Sequence, residues 1–208
     1  MGRCLKNDYY LEGVEGSGKS LHIKNVARHL EKKKISFIKL REPGGSKNSE
    51  KIRKLILNNK SNFNKYTDLF LYFASRSENI EKIIIKNYKK KVILIDRFTD
   101  STLAYQHYGM GISKKIIEHI NKHLLKKIKI NFTFLNIVNE KNLKKRLLKR
   151  KRLNRYDKFK HIFYKKVQKG FIHQAKLNSN KYLIVNSNIK IEDNKRIIIN
   201  KINKILHI

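Results

Sequence analysis

The chain has 208 residues, 40% of them hydrophobic, which is enough for one domain with a substantial core. Its single cysteine, Cys4, excludes an intramolecular disulfide framework, and no apolar run reaches the length of a membrane span. Against 16 acidic residues stand 50 Lys and Arg, a formal charge of +34 that would suit a polyanionic partner. The lysines, however, are spread over nearly every predicted helix and come with abundant Asn, Ile, Tyr and Phe. An A+T-rich coding sequence explains that mixture better than a selected binding face does, so only nonspecific, low-salt adhesion to nucleic acid is expected. One proline, no Ser/Gly-rich stretch and no repeat predict a single domain over 1–208. The lone cysteine and the absence of an apolar leader predict a cytoplasmic location.

Five short apolar runs alternate with longer helical patterns, the sequence signature of α/β architecture with a parallel sheet. The predicted strands are Tyr9 to Glu12, Ile35 to Leu40, Val92 to Ile95, Phe132 to Val138 and Tyr182 to Val185. The first is the weakest, because Lys6, Asn7 and Asp8 precede it where a buried strand favours apolar residues. Helical stripes follow from Ile23, Val26, Ala27 and Leu30, and from Ile116, Ile117, Ile120 and Leu124. Leu143 with Leu147, then Phe163, Val167 and Phe171, and finally Ile198, Ile202 and Ile205, continue the pattern to the C-terminus.

Between the first strand and the first helix lies GVEGSGKS, from Gly13 to Ser20, which fits G-x-x-x-x-G-K-[ST] at every required position. Gly13 and Gly18 allow the tight curl that aims successive backbone N–H groups at phosphate oxygens, and the following helix adds its positive end. Val14, Glu15, Gly16 and Ser17 complete the cradle for ATP. Lys19 is expected on the outer phosphates and Ser20 on a Mg2+ ion. Further along, VILIDRF ends an apolar strand in a carboxylate and an arginine, so both charges emerge at the strand's carboxyl end, where open α/β sheets bind ligands. Asp96 is thus a second candidate for Mg2+, and Arg97 for a second phosphate group.

Taken together, GVEGSGKS, REPGG, YFASR, DRFTDSTLAYQ and NRYD, in this order, resemble thymidylate kinases of the bacterial kind, from about Leu11 to the last helix. The resemblance implies a P-loop NTPase fold: a five-stranded parallel sheet with helices on both faces and a helical lid near residues 146–157. It implies transfer of the ATP γ-phosphoryl to thymidine monophosphate with Mg2+, and a homodimer. Glu15 then matches a carboxylate near the acceptor's 3′-hydroxyl. Pro43 matches a proline with a cis peptide, against an ordinary trans turn as the plain alternative. Tyr72 matches the aromatic that stacks on the base, although a core aromatic fits its neighbours equally well. Arg76, one turn on, matches a contact to the thymine carbonyl. Ser101 and Gln106 resemble base-contacting positions, and Tyr105 a residue that crowds the sugar's 2′ side.

For the lid, RLLKRKRLNR from Arg146 to Arg155 supplies several guanidinium groups for the transferring phosphoryl. Arg155 ranks first and Arg146 second, while most of Arg146, Arg150 and Arg152 read equally as solvated helix charge. Leu21, Asn136 and Asn186 depart from the family pattern, Leu21 by removing a hydroxyl from the loop's end. Two alternatives stand beside this reading: a P-loop kinase acting on another nucleotide or nucleoside, and a basic nucleic-acid-binding protein with a relic loop.

Overall fold

The computed structural model describes residues 8–149 and 154–208. A parallel sheet of five strands runs in the order β2-β3-β1-β4-β5. Its members are β1 (Asp8–Glu12), β2 (Phe37–Arg41), β3 (Val92–Asp96), β4 (Phe132–Ile137) and β5 (Tyr182–Asn186). The two strands at the centre of the fold's chemistry, β1 and β3, lie side by side, with Leu11 level with Asp96. The loop after β1 and the turn after β3 therefore leave the same edge of the sheet together.

Strand β1 is central, although polar residues lead into it. Tyr9, Tyr10 and Leu11 are fully buried, and this short stretch is all that must be covered on both faces. Tyr10 stacks on Phe98 with ring centroids 4.9 Å apart. Strand β2 begins at Phe37, later than the apolar run suggests, and Ile35 packs against the core from outside it.

Helix α1 (Lys19–Lys32) buries Ile23, Val26, Ala27 and Leu30 against β1, β3 and the last helix, α8 (Ile191–Leu206), which contributes Ile198 and Ile202. On the other face sit α2 (Lys47–Leu57) and α3 (Lys65–Asn79), which continues through a π-helical turn at Ile80–Ile84. The side chains of Ser46 and Asn64 cap α2 and α3, each accepting from N–H groups of the first turn.

After β3 comes α4 (Thr99–Thr102), extended by a π-helical stretch over Leu103–Gly109, and then α5 (Lys114–Leu124). The stripe expected on α5 is only partly inward: Ile117 is buried, whereas Ile116 is 38% exposed on the outer side. Next come α6 (Glu140–Leu148), a 3-10 turn at Arg155–Lys158, and α7 (His161–Leu177), whose Val167 and Phe171 join Tyr105 and Leu143 in a second core cluster. Gly170 of α7 lets Tyr108 approach: a Cβ there would stand 2.5 Å from its ring. Among the described residues, no helix is long and apolar enough to cross a membrane.

Candidate active site

Beyond Glu12 the chain must reverse sharply to enter α1, and Gly13 does so at φ 133, a region L-residues rarely adopt. Its missing side chain also admits the backbone carbonyl of Asn136, 2.3 Å from where a Cβ would sit. Gly16 and Gly18 take positive φ as well, so the loop curls before α1 begins at Lys19. Lys19 folds back over it, its ammonium donating to the Val14 carbonyl at 2.7 Å and to Ser17 Oγ at 3.4 Å. Burial, reinforced by nearby Arg97, lowers that ammonium to about 8. At the next position Ser20 Oγ donates to Asp96 Oδ2 at 2.9 Å. A hydroxyl beside a carboxylate, both on the cavity wall, is a hard-oxygen pair suited to Mg2+ shared with phosphate oxygens.

Arg97 follows Asp96 with φ 68, a left-handed backbone for a non-glycine residue. That turn sends its guanidinium back across β1. It donates to the Gly13 carbonyl at 2.8 Å, to Ser101 Oγ at 3.3 Å and to Glu15 Oε1 at 2.9 Å. The other oxygen of Glu15 accepts from the Tyr105 hydroxyl. Burial pushes the Glu15 carboxyl up, but Arg97 and then Lys19 outweigh it and hold the group below the usual carboxylate range. Lys19 and Arg97 thus open into one cavity of about 370 Å³, with Glu15 between them. That volume suits small-molecule ligands.

The far wall is built on α3 and the β2–α2 connection. Arg76 is 1% exposed, held by Glu42 Oε2 at 2.8 Å, Asn121 Oδ1 at 3.0 Å, the Phe98 carbonyl at 2.9 Å and Thr102 Oγ1 at 2.8 Å. Four of its five N–H groups are thereby engaged, and the second N–H of the first terminal nitrogen meets no acceptor among the described residues. Burial raises the Glu42 carboxyl while Arg76 opposes that rise. One turn earlier, Tyr72 is half-buried on the cavity wall, edge-on to Tyr156. Gln106 is buried there too, and its amide nitrogen has no hydrogen-bond partner among the described residues. The Glu42–Pro43 peptide is cis, and Pro43 lies on the same wall.

The lid arginines are placed differently. Arg146 bonds the Gly16 carbonyl at 3.1 Å and the Ser187 carbonyl at 2.6 Å, bracing the phosphate loop from behind. Arg155 turns away from Lys19: it pairs with Asp68 of α3, donates to the Ile56 carbonyl at 3.0 Å and does not line the cavity. Arg150 and Arg152 lie outside the described residues.

Two residues of the site and its surround, Arg53 and Glu12, escape the sequence reading. Arg53 of α2 lines the cavity and donates to the Pro43 carbonyl at 2.5 Å, but nothing distinguishes it among 50 basic residues. Glu42, by contrast, reads with Arg41 in REPGG as a pocket-edge residue, and both line the cavity. Glu12, buried at the end of β1, accepts from Phe98 N at 2.7 Å and Ser101 Oγ at 2.5 Å, contacts that no local pattern reveals.

Comparison with known proteins agrees with this geometry. The family model described as thymidylate kinase matches residues 11–198. The thymidylate kinase of Acholeplasma laidlawii is 35% identical over 197 residues, covering 93% of this chain and 96% of its own. That of Kosmotoga olearia is 31% identical over 182 residues, covering 87% and 88% respectively. The crystal structure of thymidylate kinase from Ehrlichia chaffeensis superposes with a TM-score of 0.77 at 26% identity, covering 95% of this chain and 98% of that one. With a matching family model over most of its length and a phosphate loop facing an arginine turn across one cavity, the chain belongs to the thymidylate kinase family.

Proposed function

We propose that this chain transfers the γ-phosphoryl group of ATP to thymidine monophosphate, giving ADP and the diphosphate. The observation that carries this reading is the shared cavity of Lys19 and Arg97, two cations facing one space across Glu15. Donor phosphates lie on the loop N–H groups and Lys19, and the acceptor phosphate lies on Arg97, so two anions that repel in water are held end to end. An acceptor oxygen attacks the γ-phosphorus as the bond to the bridging oxygen breaks, and the chain's contribution is alignment and neutralisation of charge. Ser20 and Asp96 would hold Mg2+, which when bound screens the negative charge between the outer phosphates.

Glu15 keeps lone pairs free beyond its bonds to Arg97 and Tyr105, and one of them accepts from the acceptor's 3′-hydroxyl. Tyr105 crowds the 2′ side, disfavouring ribonucleotides. The base stacks on Tyr72, within reach of the free N–H of Arg76 and the unpartnered amide of Gln106, with Ser101 and Pro43 closing the pocket. Arg155 and, second to it, Arg146 are the lid cations for the transferring phosphoryl; to serve there Arg155 must leave Asp68, and Arg146 the Gly16 and Ser187 carbonyls. A cytoplasmic homodimer is part of the same reading, supported by Tyr66 and Phe70, 42% and 56% exposed on the outer face of α3. Nucleic acid binds this basic surface only nonspecifically.

The test is turnover across a panel of nucleoside monophosphates and nucleosides with ATP and Mg2+. Thymidine monophosphate should be the preferred acceptor, and a clear preference for any other would sink the reading. RNA binding that survives physiological salt, without phosphoryl transfer, would favour a nucleic-acid-binding protein instead.

A further inference from the structure

Glu12 is the last residue of the central strand and is fully buried, and it does not line the cavity. Its carboxylate instead faces the turn that carries Arg97. One oxygen accepts from Phe98 N at 2.7 Å and Ser101 N at 3.3 Å, and the other from Ser101 Oγ at 2.5 Å. Those backbone donors belong to the first turn of α4, where Phe98, at the cap position, has no side-chain acceptor to offer. Glu12 therefore caps that helix from a neighbouring strand.

The same contact reaches Arg97 by two routes. Ser101 Oγ donates to Glu12 and accepts from the Arg97 guanidinium at 3.3 Å. The Arg97 backbone, held left-handed at φ 68, is pinned between its own N–H bond to the Leu11 carbonyl at 3.1 Å and the Phe98 N–H bond to Glu12. A left-handed arginine persists only where its surroundings over-determine it, and Glu12 supplies that constraint.

We propose that Glu12 is a positioning residue for phosphoryl transfer, fixing the turn and the Ser101 hydroxyl so that the Arg97 guanidinium meets the acceptor phosphate in line with the donor. This rests on the kinase reading above, since it assigns to Glu12 the aim of that reaction's second cradle. Donor binding uses the loop and Lys19, whose hydrogen bonds run to Val14 and Ser17 and not to Glu12.

The experiment compares wild type, Glu12→Gln, Arg97→Ala and the double variant as full chains, by steady-state kinetics, ATP titration and thermal melting. Glu12→Gln keeps the shape but places a donor where Ser101 must donate. It should lower kcat by about tenfold or more, because small misalignments are costly, while the KM for ATP stays within about twofold. In the Arg97→Ala background the same change should cost less than about twofold, because its effect runs through the arginine. Equal losses in both backgrounds, or a kcat unchanged by Glu12→Gln, would overturn the inference. So would loss of ATP affinity in step with kcat and a broadened melt. Should Glu12→Gln not fold, Glu12→Asp, which keeps the charge but falls short by a methylene, must show the same split. A wild-type chain without kinase activity would instead bring down the functional reading, and this inference with it.

Discussion

Arg155 and Asp68 are joined by an ion pair spanning the gap between the 3-10 turn and α3, and Tyr156 donates to the second Asp68 oxygen. With Asp68 only 2% exposed, this is a buried anchor for the C-terminal end of the lid segment. Arg155 also lies over the Phe63 ring at 5.6 Å and the Tyr156 ring at 5.1 Å. An arginine so well satisfied has two duties to reconcile, one structural and one proposed for catalysis.

Asp68→Asn separates them. It keeps an acceptor for one partner but removes the charge, so it should destabilise the fold by about 1–3 kcal/mol while leaving kcat nearly intact. Arg155→Ala leaves Asp68 buried and unpaired, costing about 3–5 kcal/mol, and should also lower kcat by about 10³ if the arginine reaches the phosphoryl. Chemical denaturation and turnover on the same samples measure both. A kcat within a few fold of wild type in folded Arg155→Ala would assign that residue to structure alone.

Arg97→Ala should lower kcat by about 10³, to a residual but measurable rate, while ATP still binds. Glu15 would lose its ion pair, but the loop and Lys19, which hold the donor, keep their own contacts. Calorimetric titration with ATP checks the donor side and a coupled assay the transfer. ATP affinity falling together with turnover would mean the loop had collapsed.

Leu21 lines the cavity beside Ser20 and is 40% exposed, an apolar group facing the region of the donor phosphates. Leu21→Thr offers a hydroxyl donor there, and ATP should bind more tightly by about 1 kcal/mol, several-fold in Kd. An unchanged Kd would show that the hydroxyl finds no phosphate oxygen.

Gly13→Ala places a methyl 2.3 Å from the Asn136 carbonyl oxygen at φ 133, so both the space and the backbone angle resist it. The loop can accommodate it only by moving off β4. ATP binding should be lost and the melting temperature lowered by several degrees, and retention of both would contradict the packing described for this turn.

Burial, and then the charge of Asp100, raise the Glu12 carboxyl from 4.5 to about 7. Ser101, the Phe98 N–H and Arg97 pull the other way, while Lys19 and Tyr182 also sense its charge. Because the folded chain keeps a proton that the unfolded chain has released, stability from this group is full below about 4.5 and is lost as pH rises through about 7. Activity should run the opposite way, since the ionised form is the one that can accept from Ser101 through one oxygen and from the backbone through the other. Melting curves between about pH 5 and pH 8 should fall less steeply with pH in Glu12→Gln than in wild type. Parallel slopes would contradict the assignment.

How far the sequence reveals the site depends on whether a residue's partner is local. Lys19 and Ser20 are readable because the loop motif is contiguous, and Arg97 because it ends an apolar strand beside Asp96. All five strands are legible from their apolar runs, and their ends shift by a residue or two where half-buried positions such as Ile35 pack without pairing. Arg155 matches its motif, but Asp68 lies 87 residues earlier and no pattern announces that meeting. Arg53 is hidden by the basic background. Glu12 is hidden because its neighbours predict only where the strand stops, and its burial is decided by a turn 86 residues downstream. The spacing of Ile116 from Ile120 predicts a place on the buried stripe, but the helix rotates Ile116 outward.

The placement of β1 between two partners has a kinetic corollary. Amide hydrogens of Tyr10 and Leu11, paired within the sheet's interior, should exchange with solvent only when the whole chain opens, whereas those of the border strands β2 and β5 can escape through local fraying. The donor cradle thus hangs from one of the sheet's three interior strands, and nucleotide binding should slow exchange there by raising the free energy of global unfolding.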